Sequence, residues 1–152
     1  MEEANKVKPI EEFQDIFESV FRKLKKGNEF FPKTDYKLAA GHMFILLHLY
    51  KKGSCTASDI SSYLGITSAG VTGLTDTLEK NNLINRNRSE NDRRVVHLSL
   101  TNKGEKLVEQ VMSARVNLFV QVFKDFEEKE IEQITNVFKK LDRILTNNNP
   151  LN

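Results

Sequence analysis

The sequence has 152 residues, a length that suits one compact domain with a substantial core. A hydrophobic share of 39% and a charged share of 29% exclude global disorder, and a net charge of +2 indicates no particular partner. The apolar run 43–50 is too short to span a bilayer, and the N-terminus lacks the apolar core of a signal peptide. The single cysteine excludes an internal disulfide. We therefore expect a cytoplasmic protein.

Helical periodicity dominates the first third of the chain. Apolar residues at three- and four-residue steps predict an amphipathic helix over 10–26, which Gly27 ends. Residues 38–52 are apolar almost all round, so we expect a central buried helix that stops at Gly53. These two helices indicate a mainly α fold.

Two short helices are predicted next. Thr56 is followed three residues later by Asp59, a variant of the capping box that starts the first of them. Thr67 is the expected N-cap of the second, and Gly65 between them can take a positive φ angle. A helix, a short glycine-containing turn and a second helix form the helix-turn-helix pattern.

The periodicity then changes from helix to strand. Apolar and polar residues alternate over 95–100, and residues 83–89 can pair with them, which predicts a β-hairpin around the turn formers at 90–93. Thr101 is the expected N-cap of a long helix reaching about residue 124, and a last helix covers about 127–146. The predicted fold is therefore mainly α with a small β-hairpin.

The second helix of the helix-turn-helix has small outward side chains. Small residues let a helix approach base edges in the major groove, where serine and threonine hydroxyls bond either donors or acceptors. A helix N-terminus also suits a phosphate. The alternative is that these residues are only the exposed face of a small helix. The predicted DNA-contacting residues are Thr67, Ser68, Ala69, Thr72 and Thr75.

Basic residues cluster around the hairpin. Between residues 80 and 106 the chain has seven basic and three acidic residues, a local balance of +4, whereas the segment after residue 120 is slightly acidic. An arginine at the tip of a thin β-ribbon fits the minor groove. Asp92 can cap the turn and pair with Arg94, while Arg86 and Arg88 are expected to face phosphates or the acidic residues of the hairpin.

A helix-turn-helix followed by an arginine-tipped hairpin is a winged helix, and residues 38–106 resemble the DNA-binding core of the MarR family of bacterial transcription factors. The likeness lies in "TASDISSYLGIT", "VTGLTDTLEKNNLINR", "DRR" and "VVHLSLTNKG", with a D-x-R signature at Asp92 and Arg94. The resemblance implies that Arg94 enters the minor groove, Asp92 positions it and Arg93 contacts the backbone. It also implies that residues 1–152 form a single MarR-like domain.

Aromatic residues on the terminal helices exceed what a small DNA-binding core needs for burial. With the resemblance, this predicts that helices 10–26 and 107–146 form a two-fold dimer interface, so that two recognition helices read an inverted-repeat operator with half-sites about 34 Å apart. The alternative is one larger intramolecular core. The predicted interface residues are Phe13, Phe119, Phe123, Phe138 and Leu141, with Phe17 and Phe126 beside them.

The resemblance further implies a repressor that a small, often aromatic effector releases from DNA. The predicted pocket lies between the dimerisation helices and the DNA-binding core, and packing is the alternative role for its residues. It is lined by Phe17, Phe21, His42, Met43 and Leu46.

Three other functions remain as alternatives. One is an oxidant sensor acting through Cys55, and another is a winged-helix protein-interaction module that does not bind DNA. An enzyme is the third, but the three histidines match no zinc motif or catalytic triad, and phosphate-binding glycine loops are absent from the sequence. We therefore expect a regulator with no catalytic site, metal or cofactor.

Overall fold

The computed structural model describes residues 6–26, 34–92 and 94–148. Gly27 and Arg93 therefore lie outside the described residues. The chain divides between Arg115 and Val116 into two compact units. The described elements are α1 (Val7–Lys26), α2 (Ala40–Lys52), β1 (Ser54–Thr56), α3 (Ala57–Leu64), α4 (Ser68–Lys80), β2 (Ile84–Arg88), β3 (Val96–Leu100), α5 (Asn102–Val122) and α6 (Glu128–Asn148).

Helix α2 forms the centre of the first unit, as predicted. Six of its thirteen residues are buried, and Ile45, Leu46 and Leu49 are fully so. Gly53 ends the helix with a φ of 79°, and its N–H donates to the Leu49 carbonyl at 2.7 Å. The all-round apolar pattern is explained by α3, α4 and the sheet, which pack against this helix.

The helix-turn-helix is also confirmed. The Thr56 hydroxyl accepts from the Asp59 N–H, and the Asp59 carboxylate accepts in return from the Thr56 N–H at 2.8 Å, which completes the capping box. Gly65 has a φ of 65°, so the chain turns there at a position that favours glycine. The Thr67 hydroxyl then accepts from the Gly70 N–H and starts α4.

The sheet has three antiparallel strands in the order β1-β3-β2, whereas the sequence predicts only the hairpin of β2 and β3. In the hairpin, Ile84 pairs with Leu100 and Arg88 with Val96. The strand missing from the prediction is β1, where Cys55 pairs with Leu98. Three residues are too few to show an alternating pattern in the sequence, so β1 is recognised as a strand only by its pairing with β3.

Helix α5 starts against the end of α4. The Thr101 hydroxyl accepts from the Gly104 N–H at 3.0 Å, which confirms Thr101 as the N-cap. The same hydroxyl donates to the Asn82 carbonyl, and the Thr101 N–H donates to the Leu83 carbonyl at 3.0 Å. These bonds join the loop after α4 to the first turn of α5.

The second unit begins at Val116 and contains the end of α5 and all of α6. Phe119 and Phe123 stack with ring centroids 6.1 Å apart, and Phe123 meets Phe126 edge-on at 5.0 Å. The Glu127 N–H donates to the Glu130 carboxylate at 2.9 Å, so Glu130 provides the N-terminal cap of α6.

Gly104 provides a test of the junction between α4 and α5. A Cβ added to Gly104 would lie 2.1 Å from the Leu83 carbonyl oxygen, so Gly104→Ala must push two backbone segments apart. We expect a loss of about 3 kcal/mol in the free energy of unfolding, measured by urea denaturation. The matched control is Gly73→Ala in the exposed face of α4, where no atom lies within 4 Å of the added Cβ. It is expected to stabilise by about 1 kcal/mol. Equal stability of the two variants would contradict the described packing.

Candidate nucleic-acid interface

The outward face of α4 is the first part of the candidate interface. The side chains of Val71 and Leu78 are fully buried and attach the opposite face to the core. Thr67, Ser68, Ala69 and Thr72 are exposed, as predicted. The Thr72 hydroxyl donates to the Ser68 carbonyl at 3.0 Å, so its oxygen remains able to act as an acceptor.

Thr75 does not belong to this face, and the prediction that it points outward is wrong. Its side chain is buried, with 2% of its surface exposed. Its hydroxyl donates to the Val71 carbonyl at 2.8 Å and accepts from Arg86 Nη2 at 2.7 Å. Thr75 lies at the edge of the buried face of α4, where β2 packs against the helix and covers it.

The tip of the hairpin is the second part of the interface. The Asp92 carboxylate accepts from the Arg94 N–H at 3.0 Å and lies 3.8 Å from the Arg94 Nε, so the expected turn cap and ion pair are both present. The Ser89 hydroxyl accepts from the N–H groups of Asn91 and Asp92, a stabilising contact that was not predicted. Serine hydroxyls often bond the backbone of a turn that follows them, so the position of Ser89 just before the predicted turn could have indicated this contact.

The Arg94 side chain is far more exposed than that of Arg86, the arginine of β2 that is 29% exposed. The side chain of Arg94 is 95% exposed, so Asp92 orients the base of the side chain and leaves the guanidinium in solvent. Arg88 on β2 is also exposed. Arg93, the third predicted arginine of the wing, lies outside the described residues.

Arg86 is placed differently from the prediction, which had it facing phosphates or the acidic residues of the hairpin. Its guanidinium instead lies against α4, where Nη2 is 2.5 Å from Asp76 Oδ1 and Nη1 is 3.2 Å from Glu79 Oε2. Arg86 lies on the same face of β2 as the buried Ile84, and that face packs against α4.

The predicted effector pocket is not assembled in the described chain. Phe17 and Phe21 are exposed on α1, where their rings stack on each other at 6.2 Å. His42, Met43 and Leu46 are buried in the core around α2, so they pack rather than line a cavity. His42 Nδ1 accepts from the Ala39 N–H at 2.9 Å, and burial lowers the pKa of its ring.

The first unit has a different cavity, of about 380 Å³, between the segment before α2 and the first half of α5. Lys103 Nζ lies 4.9 Å from the centroid of the Tyr36 ring and donates to the Asn81 carbonyl at 3.1 Å. The cavity thus combines cations, an aromatic ring and an apolar floor. Its lining residues are Thr34, Asp35, Tyr36, Lys103, Lys106, Leu107, Gln110, Val111 and Ala114.

The terminal helices expose large apolar surfaces. Phe13 and Phe138 are about half exposed, Phe119 and Leu141 are exposed to a lesser extent, and Phe123 is partly buried. Neither α1 nor α6 has a buried residue among those the structure describes.

Cys55 is not suited to oxidant sensing. The side chain is buried in the core, and burial, assisted by Asp59, raises the pKa of the thiol. A raised pKa disfavours the thiolate, which is the form that reacts with oxidants. In the part of the chain that the structure describes, no group of three or more histidine, cysteine or acidic residues is placed to hold a metal ion, and no helix is long and apolar enough to cross a membrane.

Comparison with known proteins agrees with this geometry. Residues 38–96 match the MarR family. The chain is 34% identical over 99 residues to the transcriptional repressor MdtR of Bacillus subtilis, covering 65% of this chain and 64% of MdtR. It is 32% identical to the helix-turn-helix transcriptional regulator YwhA of the same organism, covering 64% of this chain and 70% of YwhA.

A solved structure extends the likeness beyond the winged helix. A MarR family protein from Bacillus stearothermophilus superposes with a TM-score of 0.79 at 26% identity, covering 91% of this chain and 96% of that protein. The match therefore covers more of the chain than residues 38–96 alone. The chain therefore belongs to the MarR family of winged helix-turn-helix transcriptional regulators.

Proposed function

We propose that this protein is a homodimeric, sequence-specific transcriptional repressor. The single observation that carries the proposal is that one unit presents two exposed elements that suit the two grooves of DNA: the small polar face that begins at Thr67, and the solvent-exposed guanidinium of Arg94 on the hairpin. Helix α4 enters the major groove of the operator and the hairpin enters the minor groove. The repressor MdtR, to which the chain is 34% identical over 99 residues, supports repression.

The base-reading residues in this proposal are Ser68, Ala69 and Thr72. Their short side chains let the α4 backbone come close to the base edges, and Thr72 offers both a hydroxyl acceptor and a methyl group. Thr67 and the first N–H groups of α4 suit a phosphate, because helix N-termini carry unsatisfied donors. Arg88 and Arg93 contact the phosphate backbone beside the minor groove that Arg94 enters.

Dimerisation follows from the apolar surface of the terminal helices. Exposed apolar surface on this scale marks an interaction site, and a second copy with the same surface is the occupant that a two-fold interface requires. Two copies also double the phosphate contacts and the base pairs that are read. The interface residues are Phe13, Phe119, Phe123, Phe138 and Leu141, with Phe17 and Phe126 beside them.

The remaining assignments follow from this function. Residues 38–106 form the winged helix-turn-helix core, helices 10–26 and 107–146 form the dimer, and residues 1–152 act as one MarR-like domain. The protein binds DNA and catalyses no reaction, and it works in the cytoplasm with the DNA it regulates.

Selection of bound fragments from the genome of the source organism by the purified protein tests the proposal. We expect enrichment of fragments that share an inverted repeat, with half-sites separated by about one turn of DNA, roughly 34 Å. The matched variant is Thr72→Val, which keeps the shape of the side chain but removes the hydroxyl. It should alter the recovered sequence more than the total amount of bound DNA.

Two outcomes would contradict the proposal. Recovery of a single, unrepeated motif would oppose the two-fold arrangement of recognition helices. Recovery of no preferred sequence would favour the alternative in which the winged helix binds a protein partner rather than DNA.

The cavity beside α5 is the proposed effector site, in place of the five residues that the sequence predicts. Lys103 and Lys106 outnumber Asp35 among the lining residues, so the charge of the cavity favours an anion. Tyr36, Leu107 and Val111 suit an aromatic or apolar body. The effector class is therefore a small aromatic anion, such as a carboxylate.

This cavity is linked to the DNA-reading helix. The Asn81 carbonyl to which Lys103 donates belongs to the C-cap of α4. A carboxylate that draws the Lys103 ammonium into the cavity lengthens its hydrogen bond to Asn81, so it favours a state in which that bond is broken. An effector regulates only if it binds one state better than the other, and this bond distinguishes two states.

Benzoate, with uncharged benzamide as the matched ligand, probes the site. We expect benzoate to shift the amide resonances of residues 103–110 and to weaken operator binding, while benzamide does neither. Lys106→Gln should weaken benzoate binding about tenfold through loss of a charge-assisted contact, whereas Lys51→Gln, at an exposed lysine of α2, should not. Unchanged resonances in this segment, or equal benzoate binding by Lys106→Gln and the wild type, would contradict the proposed site.

A further inference from the structure

The strongest polar contact between the hairpin and the DNA-reading helix is made by Arg86. Its guanidinium spans three residues of α4: Nη2 contacts both the Thr75 hydroxyl at 2.7 Å and Asp76 at 2.5 Å, and Nη1 contacts Glu79 at 3.2 Å. The side chain of Arg86 is only 29% exposed. The planar fork of arginine suits this arrangement, because its donors point in fixed directions toward two carboxylates at once.

The contact also changes the charge of the recognition helix. Helix α4 contains Asp76, Glu79 and Lys80, so by itself it has a net charge of −1. Two carboxylates on a helix that enters a groove lined with phosphates oppose binding. Arg86 brings the combined net charge of α4 and its own side chain to zero, and it holds both carboxylates toward the hairpin.

We infer that Arg86 is a positioning residue that determines operator specificity, although it does not itself contact DNA. It fixes the rotation of α4 against β2, and so it fixes where Ser68 and Thr72 lie relative to Arg94. This inference rests on the proposed DNA-binding function. The inference gives Arg86 a different role from Arg88, which lies two residues further along the same face of β2 but is exposed.

Positioning and phosphate contact predict different binding data. Loss of a residue that only contacts a phosphate weakens binding to every sequence equally and lowers the salt dependence of binding by about one counterion. A positioning residue is needed only where α4 must match base edges. Its loss therefore weakens binding to the operator while binding to unrelated DNA changes little.

The experiment measures the dissociation constants of the full-length protein for the selected operator and for a shuffled duplex at several salt concentrations. We expect Arg86→Gln to weaken operator binding about tenfold and shuffled-duplex binding less than about threefold, with an unchanged salt slope. Arg88→Gln is the matched control, and it should weaken binding to both duplexes alike and reduce the salt slope by about 0.9.

A second variant breaks the same contact from the other side. Asp76→Ala/Glu79→Ala removes two exposed carboxylates from α4 with favourable helix propensity, so it keeps the test available if Arg86→Gln does not fold. We expect this variant to bind the shuffled duplex more tightly than the wild type, because two negative charges are gone. Its preference for the operator should nevertheless fall.

The inference is overturned if Arg86→Gln weakens binding to both duplexes equally and lowers the salt slope, which is the behaviour of a phosphate contact. It is also overturned if either variant keeps the wild-type preference for the operator. If the wild-type protein itself does not distinguish the two duplexes, the proposed function fails and the inference fails with it.

Discussion

The attachment of α4 to the core is the constraint on which the rest of the structure depends. One face of this helix is held by the buried side chains of Val71 and Leu78, and its edge is held by Arg86 from β2. The opposite face is therefore left free, and over the first two turns of the helix it has only small side chains. A helix that reads base edges must be accessible on one face and immobile on the other, since the geometry of a bidentate or methyl contact tolerates little movement.

The hairpin follows the same division between fixed and free groups. Ser89 and Asp92 accept hydrogen bonds from the backbone of the turn, so the conformation of the tip is set by the chain itself. The Arg94 guanidinium remains in solvent, where its charge is available to a phosphate-lined groove. Arg86 and Arg94 thus have opposite roles within one hairpin, although both are basic and only eight residues apart.

Short-range patterns in the sequence predicted much of this arrangement. The caps at Thr56, Thr67 and Thr101 and the turn at Gly65 are local features, so residue spacing alone was enough to locate them. Thr75 was predicted wrongly because its polar side chain suggested an outward position, although it lies four residues after Val71 and three before Leu78, a spacing that places it on the buried side of α4. The burial of Met43 and Leu46 follows the all-round apolar pattern of α2, but helical periodicity does not show which surface packs against the exposed Phe17 and Phe21 of α1, so the five-residue effector pocket could not be predicted from it.

The central claim is that α4 occupies the major groove while Arg94 occupies the minor groove of one operator. Methylation interference tests it directly, because dimethyl sulfate modifies guanine N7 in the major groove and adenine N3 in the minor groove. The account predicts that guanine N7 positions in two half-sites and adenine N3 positions beside each of them interfere with binding. In Arg94→Ala only the adenine N3 interference should disappear. Adenine N3 interference that persists in Arg94→Ala, or interference confined to one groove in the wild type, would contradict the account.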